Sequence, residues 1–246
     1  MRALSASQLL EVWEQGFGRT PAEQALVLLA VACPDLLPDQ LAGLSIGQRD
    51  SRLLTLHEWT FGPRLHGLVV CPACAERLEM DLRTTDLYAD GGPAGGGLEP
   101  LSLEAGGYRI QFHLPDSTDL VAGLQDEDAD ILRSRILKRC LLSVRKGKKD
   151  VPLARLPQDV IGAVVEKMAA VDPQADITFS ITCPACGHAW QAIFDIVSFF
   201  WREITAWSYR LLYEVHSLAS AYGWREADIL AMSPWRRQCY LEMTGT

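Results

Sequence analysis

The sequence has no apolar run long enough to cross a bilayer. Its longest, Ala25 to Cys33, is stopped by Pro34 and Asp35, well short of the roughly 20 residues a spanning helix needs. The first residues, Met1 to Gln8, lack the apolar stretch of a secretory signal. These two absences lead to the expectation of a cytoplasmic protein without membrane contact, in a compartment where disulfides are uncommon. Positive charge is also scarce. The 23 Lys and Arg face 31 Asp and Glu, a net charge of -8, which argues against a general affinity for phosphate backbones.

Catalytic signatures are missing as well. There is no Walker A loop, no glycine fingerprint after a strand and no zinc-protease H-E-x-x-H. Gly43-Leu44-Ser45-Ile46-Gly47 fits the G-x-S-x-G pattern, but that elbow needs a strand before its serine. Here Ser45 reads better as the N-cap of a helix. The acids Asp126, Glu127, Asp128 and Asp130 lack the glycine and distal glutamate of a calcium loop. Placed before a helix, they complement its dipole. The sequence therefore reads as that of a non-enzyme.

What is present is a clear order of elements. Leu4, Leu9, Leu10, Val12 and Trp13 mark a helix ending near Gly16. Thr20-Pro21 opens a second, and Ile46 to Trp59 forms a third. The period then changes. Leu78, Met80 and Leu82 alternate with charges, the mark of a half-buried strand. Leu101 to Leu103 and Tyr108 to Leu114 flank Gly106-Gly107 as a hairpin. Asp116 or Ser117 caps a short helix through Leu124. Helical patterns run from Asp128 to Val144 and from Gln158 to Ala170, separated by the basic loop Arg145 to Lys149. Ile177 to Ile181 is again a strand. The glycines from Gly91 to Gly97 form a flexible loop.

The last quarter carries the sharpest pattern. Ile196, Phe200, Ile204, Trp207, Leu211, Val215, Leu218 and Tyr222 share one face of a long helix. Asp195 is its N-cap and Gly223 its C-cap. Trp207 and Tyr222 belong to the apolar stripe. Trp201 and Tyr213 lie off it and, with Trp235, Arg236 and Arg237, are candidates for a partner surface. The segment Arg225 to Arg237 also admits a helix-turn-helix with a basic second helix.

The cysteines are the strongest signal. Seven is an odd number, and four of them form the matched turns Cys71-Pro72-Ala73-Cys74 and Cys183-Pro184-Ala185-Cys186. Zinc takes four ligands at tetrahedral corners, and a C-x-x-C turn aims two sulfurs at one ion. The expectation is one structural zinc ion held by Cys71, Cys74, Cys183 and Cys186. His188 is an alternative ligand, and His66 lies near the first turn without that role. Four protein ligands close the site to substrate. Over a hundred residues separate the turns, so the hairpin and helices between them are an insertion within a zinc ribbon. Cys33, Cys140 and Cys239 fall in apolar helical patterns and read as buried small residues.

The second half resembles the baseplate hub and assembly proteins of T-even phages and their relatives in contractile injection systems. The resemblance rests on Tyr108 to Leu120, Arg139-Cys140, Val171 to Asp176 and Cys183 to His188. It continues through Phe194-Asp195-Ile196, Phe200-Trp201, Glu203-Ile204, Glu214 to Ala219, Tyr222-Gly223-Trp224 and Ile229 to Ser233, then Arg236-Arg237 and Tyr240-Leu241. It runs from about residue 45 to the end. It implies a non-catalytic component of a contractile particle that contacts hub, spike or tube proteins and is incorporated into that particle or helps to assemble it.

The expected fold is α+β, a zinc ribbon-like β unit with a long helical insertion, flanked by N-terminal and C-terminal helices. The corresponding units are 1–66, 67–194 and 195–246. The alternative function is a zinc-stabilised regulator that binds nucleic acid through the C-terminal helix-turn-helix.

Overall fold

The first helices follow from their caps. In the computed structural model, which describes residues 1–89, 100–123, 128–152 and 155–244, α1 (Ala6–Gly16) starts at Ser5 and α2 (Pro21–Ala32) at Thr20. Both carry reciprocal capping boxes, closed by Gln8 and Glu23. After the short α3 (Pro38–Ala42), Ser45 caps α4 (Ile46–Phe61) by accepting from the Gln48 amide. Ser45 is thus a buried helix cap, as its sequence context indicates.

Two hairpins frame the middle of the chain. β1 (Arg64–Val70) pairs antiparallel with β2 (Arg77–Arg83), and β7 (Thr178–Thr182) pairs with β8 (Ala189–Ile193). Each is a two-stranded sheet of its own, and each cysteine turn sits at a hairpin tip. Between them lies the insertion, a sheet in the order β3 (Leu101–Ala105), β4 (Tyr108–Phe112), β5 (Leu141–Lys146) and β6 (Lys149–Asp150). It carries α5 (Ser117–Gly123), α6 (Ala129–Cys140) and α7 (Gln158–Val171). Tyr108, Ile110, Phe112 and Val144 pack against Val160, Val164 and Met168 of α7 to form its core. The fold is mixed α+β, as expected.

One helix ends sooner than its pattern suggests. Residues Leu141 to Val144 continue the helical spacing of α6 but form a strand, with Val144 opposite Ile110 and Ser143 opposite Gln111. β4 offers an open edge, and pairing with it outweighs a weak local preference. The basic loop becomes the tight β5–β6 turn around Gly147. β1 and β8 carried no clear alternation over their full length and were not expected as strands. Asp128 caps α6 through the amides of Asp130 and Ile131. The glycine run 91–97, together with Leu124, Asp126 and Glu127, lies outside the described residues.

The long helix α8 (Ile196–Tyr222) spans the molecule, capped by Asp195 and closed by Gly223 in the left-handed region. Its first turns join the N-terminal helices. Ile196, Val197, Phe199, Phe200 and Ile204 share one core with Leu9, Val12, Leu28, Leu29, Leu53, Leu54 and Leu56. Its last turns pack with α9 (Glu226–Leu230) and α10 (Pro234–Met243) through Val215, Leu218 and Ile229.

The insertion is fastened to the N-terminus of α4. That end has unpaired amides. Ile46 N–H donates to the Pro115 carbonyl at 3.0 Å, and Gly47 N–H donates to Asp172 Oδ2 at 2.9 Å. Gln174 adds bonds to Leu87 and Ala89. A Cβ at Gly47 would lie 2.0 Å from Asp172 Oδ1. We expect Gly47→Ala to cost about 3 kcal/mol, because the methyl must displace the buried Asp172 carboxylate and the Gln174 side chain. Urea denaturation of the variant checks this, and an unchanged midpoint would refute it.

Candidate metal centre and partner surface

The two cysteine turns are near copies of each other in backbone geometry. Cys71 N–H donates to Glu76 O, and Ala75 N–H returns to Cys71 O, both at 2.9 Å. In the second turn Cys183 N–H donates to His188 O at 2.8 Å, and Gly187 N–H to Cys183 O at 2.9 Å. The fifth residue of each turn is left-handed, Gly187 at φ 74° and Ala75 at φ 60°. Glycine takes that conformation freely, whereas the Cβ of alanine crowds the following carbonyl oxygen. We expect Ala75→Gly to stabilise the metal-loaded protein by about 0.5–1 kcal/mol and Gly187→Ala to destabilise it by about 1 kcal/mol. Thermal unfolding of the two variants against the parent reads both signs.

Folding brings the four sulfurs together across more than a hundred residues. Cys71 Sγ lies 3.7 Å from Cys186 Sγ, and Cys74 Sγ lies 3.6 Å from Cys183 Sγ. All four are within 4.8 Å of one another. Sulfurs about 2.3 Å from a shared tetrahedral centre stand about 3.8 Å apart. The donor set and its spacing are compatible with a metal site. Cys71 and Cys183 are buried, while Cys74 and Cys186 are exposed.

The electrostatics point the same way. Burial opposes ionisation of Cys71, but the amides of Cys74 and Ala73 and the thiols of Cys74 and Cys186 outweigh it and lower it to about 7. The Glu76 amide favours a Cys74 thiolate, yet Cys186, burial, Cys183 and Cys71 together raise Cys74 to about 12. One negative sulfur thus suppresses the next. Four thiolates can coexist here only around a cation. His188 stacks on Trp190 and His66 faces Asp81, outside the cluster.

The aromatic C-terminus divides into buried and exposed members. Trp201 packs on the first core with its ring over Gly16, where a Cβ would lie 2.1 Å from it. Arg237 is 3% exposed and donates from Nε to Glu214 Oε2 and from Nη1 to the Met232 carbonyl, at 2.9 and 2.8 Å. Arg237 faces inward because α10 packs on α8, and Trp201 is half-buried where α1 covers the helix. Burial of Arg237 also removes half of the basic pair on which a DNA-reading helix would depend. Tyr213 at 66% and Trp235 at 78% are well exposed, as is Arg236. Trp207 packs against the first core as expected, but Tyr222 stays partly exposed, stacked on Trp224 at 4.5 Å.

Sequence reasoning missed two exposed aromatics beside these. Tyr209 lies one turn before Tyr213 on α8 and meets Trp13 of α1 at 5.4 Å, and Trp13 meets Phe17 at 6.4 Å. Only the packing of α1 beside α8 brings Phe17 to this surface.

A family profile described as "T4 bacteriophage base plate protein" matches residues 19–201. The chain belongs to this family. The match begins well before residue 45, so α2 and α3 of this baseplate protein are part of the family's fold. It ends within α8, which leaves Tyr213, Trp235 and Arg236 beyond the matched stretch. Comparison with curated proteins and with solved structures gave no match. Among the described residues, no helix is long and apolar enough to cross a membrane.

Proposed function

We propose that this baseplate protein is a non-enzymatic assembly or structural component of a contractile, phage tail-like particle, binding its hub, spike or tube proteins. The observation that carries this reading is the family match over residues 19–201. The exposed aromatic end of the molecule, with Tyr213, Trp235 and Arg236, supports a docking role, since such side chains supply much of the energy of interfaces. Incorporation into the particle follows from the same reading.

In this proposal a zinc ion occupies the four-cysteine site. Thiolates select a soft or borderline cation, and tetrahedral S4 coordination suits zinc. Cys71 and Cys74 would hold it from the first hairpin, and Cys183 and Cys186 from the second. Four thiolates leave no open position, so the ion ties hairpins together and supplies no chemistry. The second hairpin leads through Asp195 into α8, so the clamp fixes the direction in which α8 presents its aromatic end.

The test is genetic. A strain lacking the protein is expected to accumulate incomplete baseplates, restored by the wild-type chain but not by one ending before α9. Normal particles in the deletion strain would remove the reading. Companions recovered with the tagged protein should include hub, spike or tube components.

A further inference from the structure

The base of the insertion holds a second cluster of donor atoms, unrelated to the cysteine turns. His113 follows β4, Asp119 lies in the first turn of α5, and Cys140 ends α6. One donor atom from each lies within 4.8 Å of the other two. Asp119 Oδ2 is 3.7 Å from His113 Nδ1 and 3.6 Å from Cys140 Sγ. Around a tetrahedral zinc ion, the edges between nitrogen, oxygen and sulfur ligands are about 3.3–3.6 Å. Asp119 is 2% exposed and Cys140 is fully buried, while the edge of His113 is accessible from solvent.

The surroundings match those of metal ligands. His113 Nε2 faces the Arg139 carbonyl at 3.2 Å. A ligating histidine gives its second ring N–H to such an acceptor, which fixes the tautomer and frees the other nitrogen. Nδ1 then directs its lone pair towards the Leu114 carbonyl at 2.9 Å and the Asp119 carboxylate. In that tautomer electron-rich atoms face one another, and a cation among them relieves the repulsion. Asp119 is itself oriented from outside. Its Oδ1 accepts from Arg139 Nε at 2.9 Å, and Oδ2 takes the Asp116 amide at 3.3 Å.

We infer that His113, Asp119 and Cys140 form a second metal site, for a divalent transition-metal ion of the zinc or cobalt type. Imidazole with a thiolate excludes magnesium and calcium, which prefer oxygen alone. The ion joins the end of β4, α5 and the end of α6. It thereby stiffens the turn whose Pro115 carbonyl caps α4. The competing arrangement uses protons in place of metal: a ring N–H at Nδ1 donating to the Leu114 carbonyl, and a thiol donating to Asp119.

Counting metal separates the two. The full chain is loaded with zinc, dialysed against metal-free buffer and analysed by mass spectrometry for zinc per chain. Cys140→Ala and His113→Gln are each expected to lose one ion per chain relative to the parent. Zinc content unchanged in both overturns the inference. Should either variant fail to fold, cobalt titration of the unaltered metal-free chain decides. Two equivalents bound support the site, and saturation at one overturns it. Cys71→Ser keeps the Cys140-dependent ion, so failure of the four-cysteine site is read separately from failure of this one.

Discussion

With zinc in the four-cysteine site as proposed, a strong chelator is expected to abolish amide protection in β1, β2, β7 and β8 while α2, α4 and the first half of α8 keep theirs. The two hairpins share no hydrogen-bonded strand, since each forms a sheet by itself. Along β2, β7 and β8, exposed residues alternate with half-buried ones, and none is fully buried. Isolated two-stranded hairpins are marginal in water. A structural zinc site contributes on the order of 10 kcal/mol of apparent folding free energy, comparable to the roughly 5–15 kcal/mol that holds a whole domain together. The N-terminal helices and the start of α8 share a large apolar core, to which the four hairpin strands contribute only Leu65 as a fully buried residue. Cys183→Ser should reproduce the effect of the chelator. Acid should do so too, because zinc requires thiolates and is released as they protonate. Hydrogen exchange followed by mass spectrometry resolves the segments. Equal protection with and without zinc would show that the hairpins stand without a clamp.

The second large effect is expected at the aromatic end. Tyr213→Ala and Trp235→Ala should each weaken attachment to the baseplate partner by about 2 kcal/mol, or roughly thirtyfold, with the melting temperature unchanged. Both side chains are mostly in solvent, so their loss removes little internal packing. Arg237→Ala makes the contrast. Its guanidinium is buried against Glu214 and the Met232 carbonyl. Its loss should lower stability by about 2–3 kcal/mol, at the low end for a broken buried pair because Glu214 retains some solvent. Attachment measured with the purified partner, beside thermal unfolding of each variant, distinguishes surface from scaffold. Full affinity in the doubly substituted Tyr213→Ala, Trp235→Ala protein would move the interface elsewhere.

How much of this was legible beforehand differs from residue to residue. The caps at Thr20, Ser45 and Asp195 were readable because capping is a contact between a side chain and an amide two or three residues on. The strand in β5 was not, because Leu141 to Val144 fit a helix locally and became a strand only against β4. Trp201 reads as surface because it lies off the apolar stripe of α8, and Arg237 because it is half of a charged pair. A stripe describes one neighbour, and α8 has several.

The sequence by itself determined the pairing motif of the cysteine turns, the length and ends of α8, and the resemblance to baseplate proteins. Each is written in spacing over a few residues or in the order of short motifs. The matched turns also pointed to a shared ion, but tertiary structure alone decided how the four sulfurs are spaced, that Pro115 and Asp172 cap α4, and that His113, Asp119 and Cys140 meet at the base of the insertion. Apart from His113 with Asp119, these contacts join residues tens to more than a hundred positions apart. Local spacing carries no record of such distances, because they are set by how cores pack and not by how the chain is written.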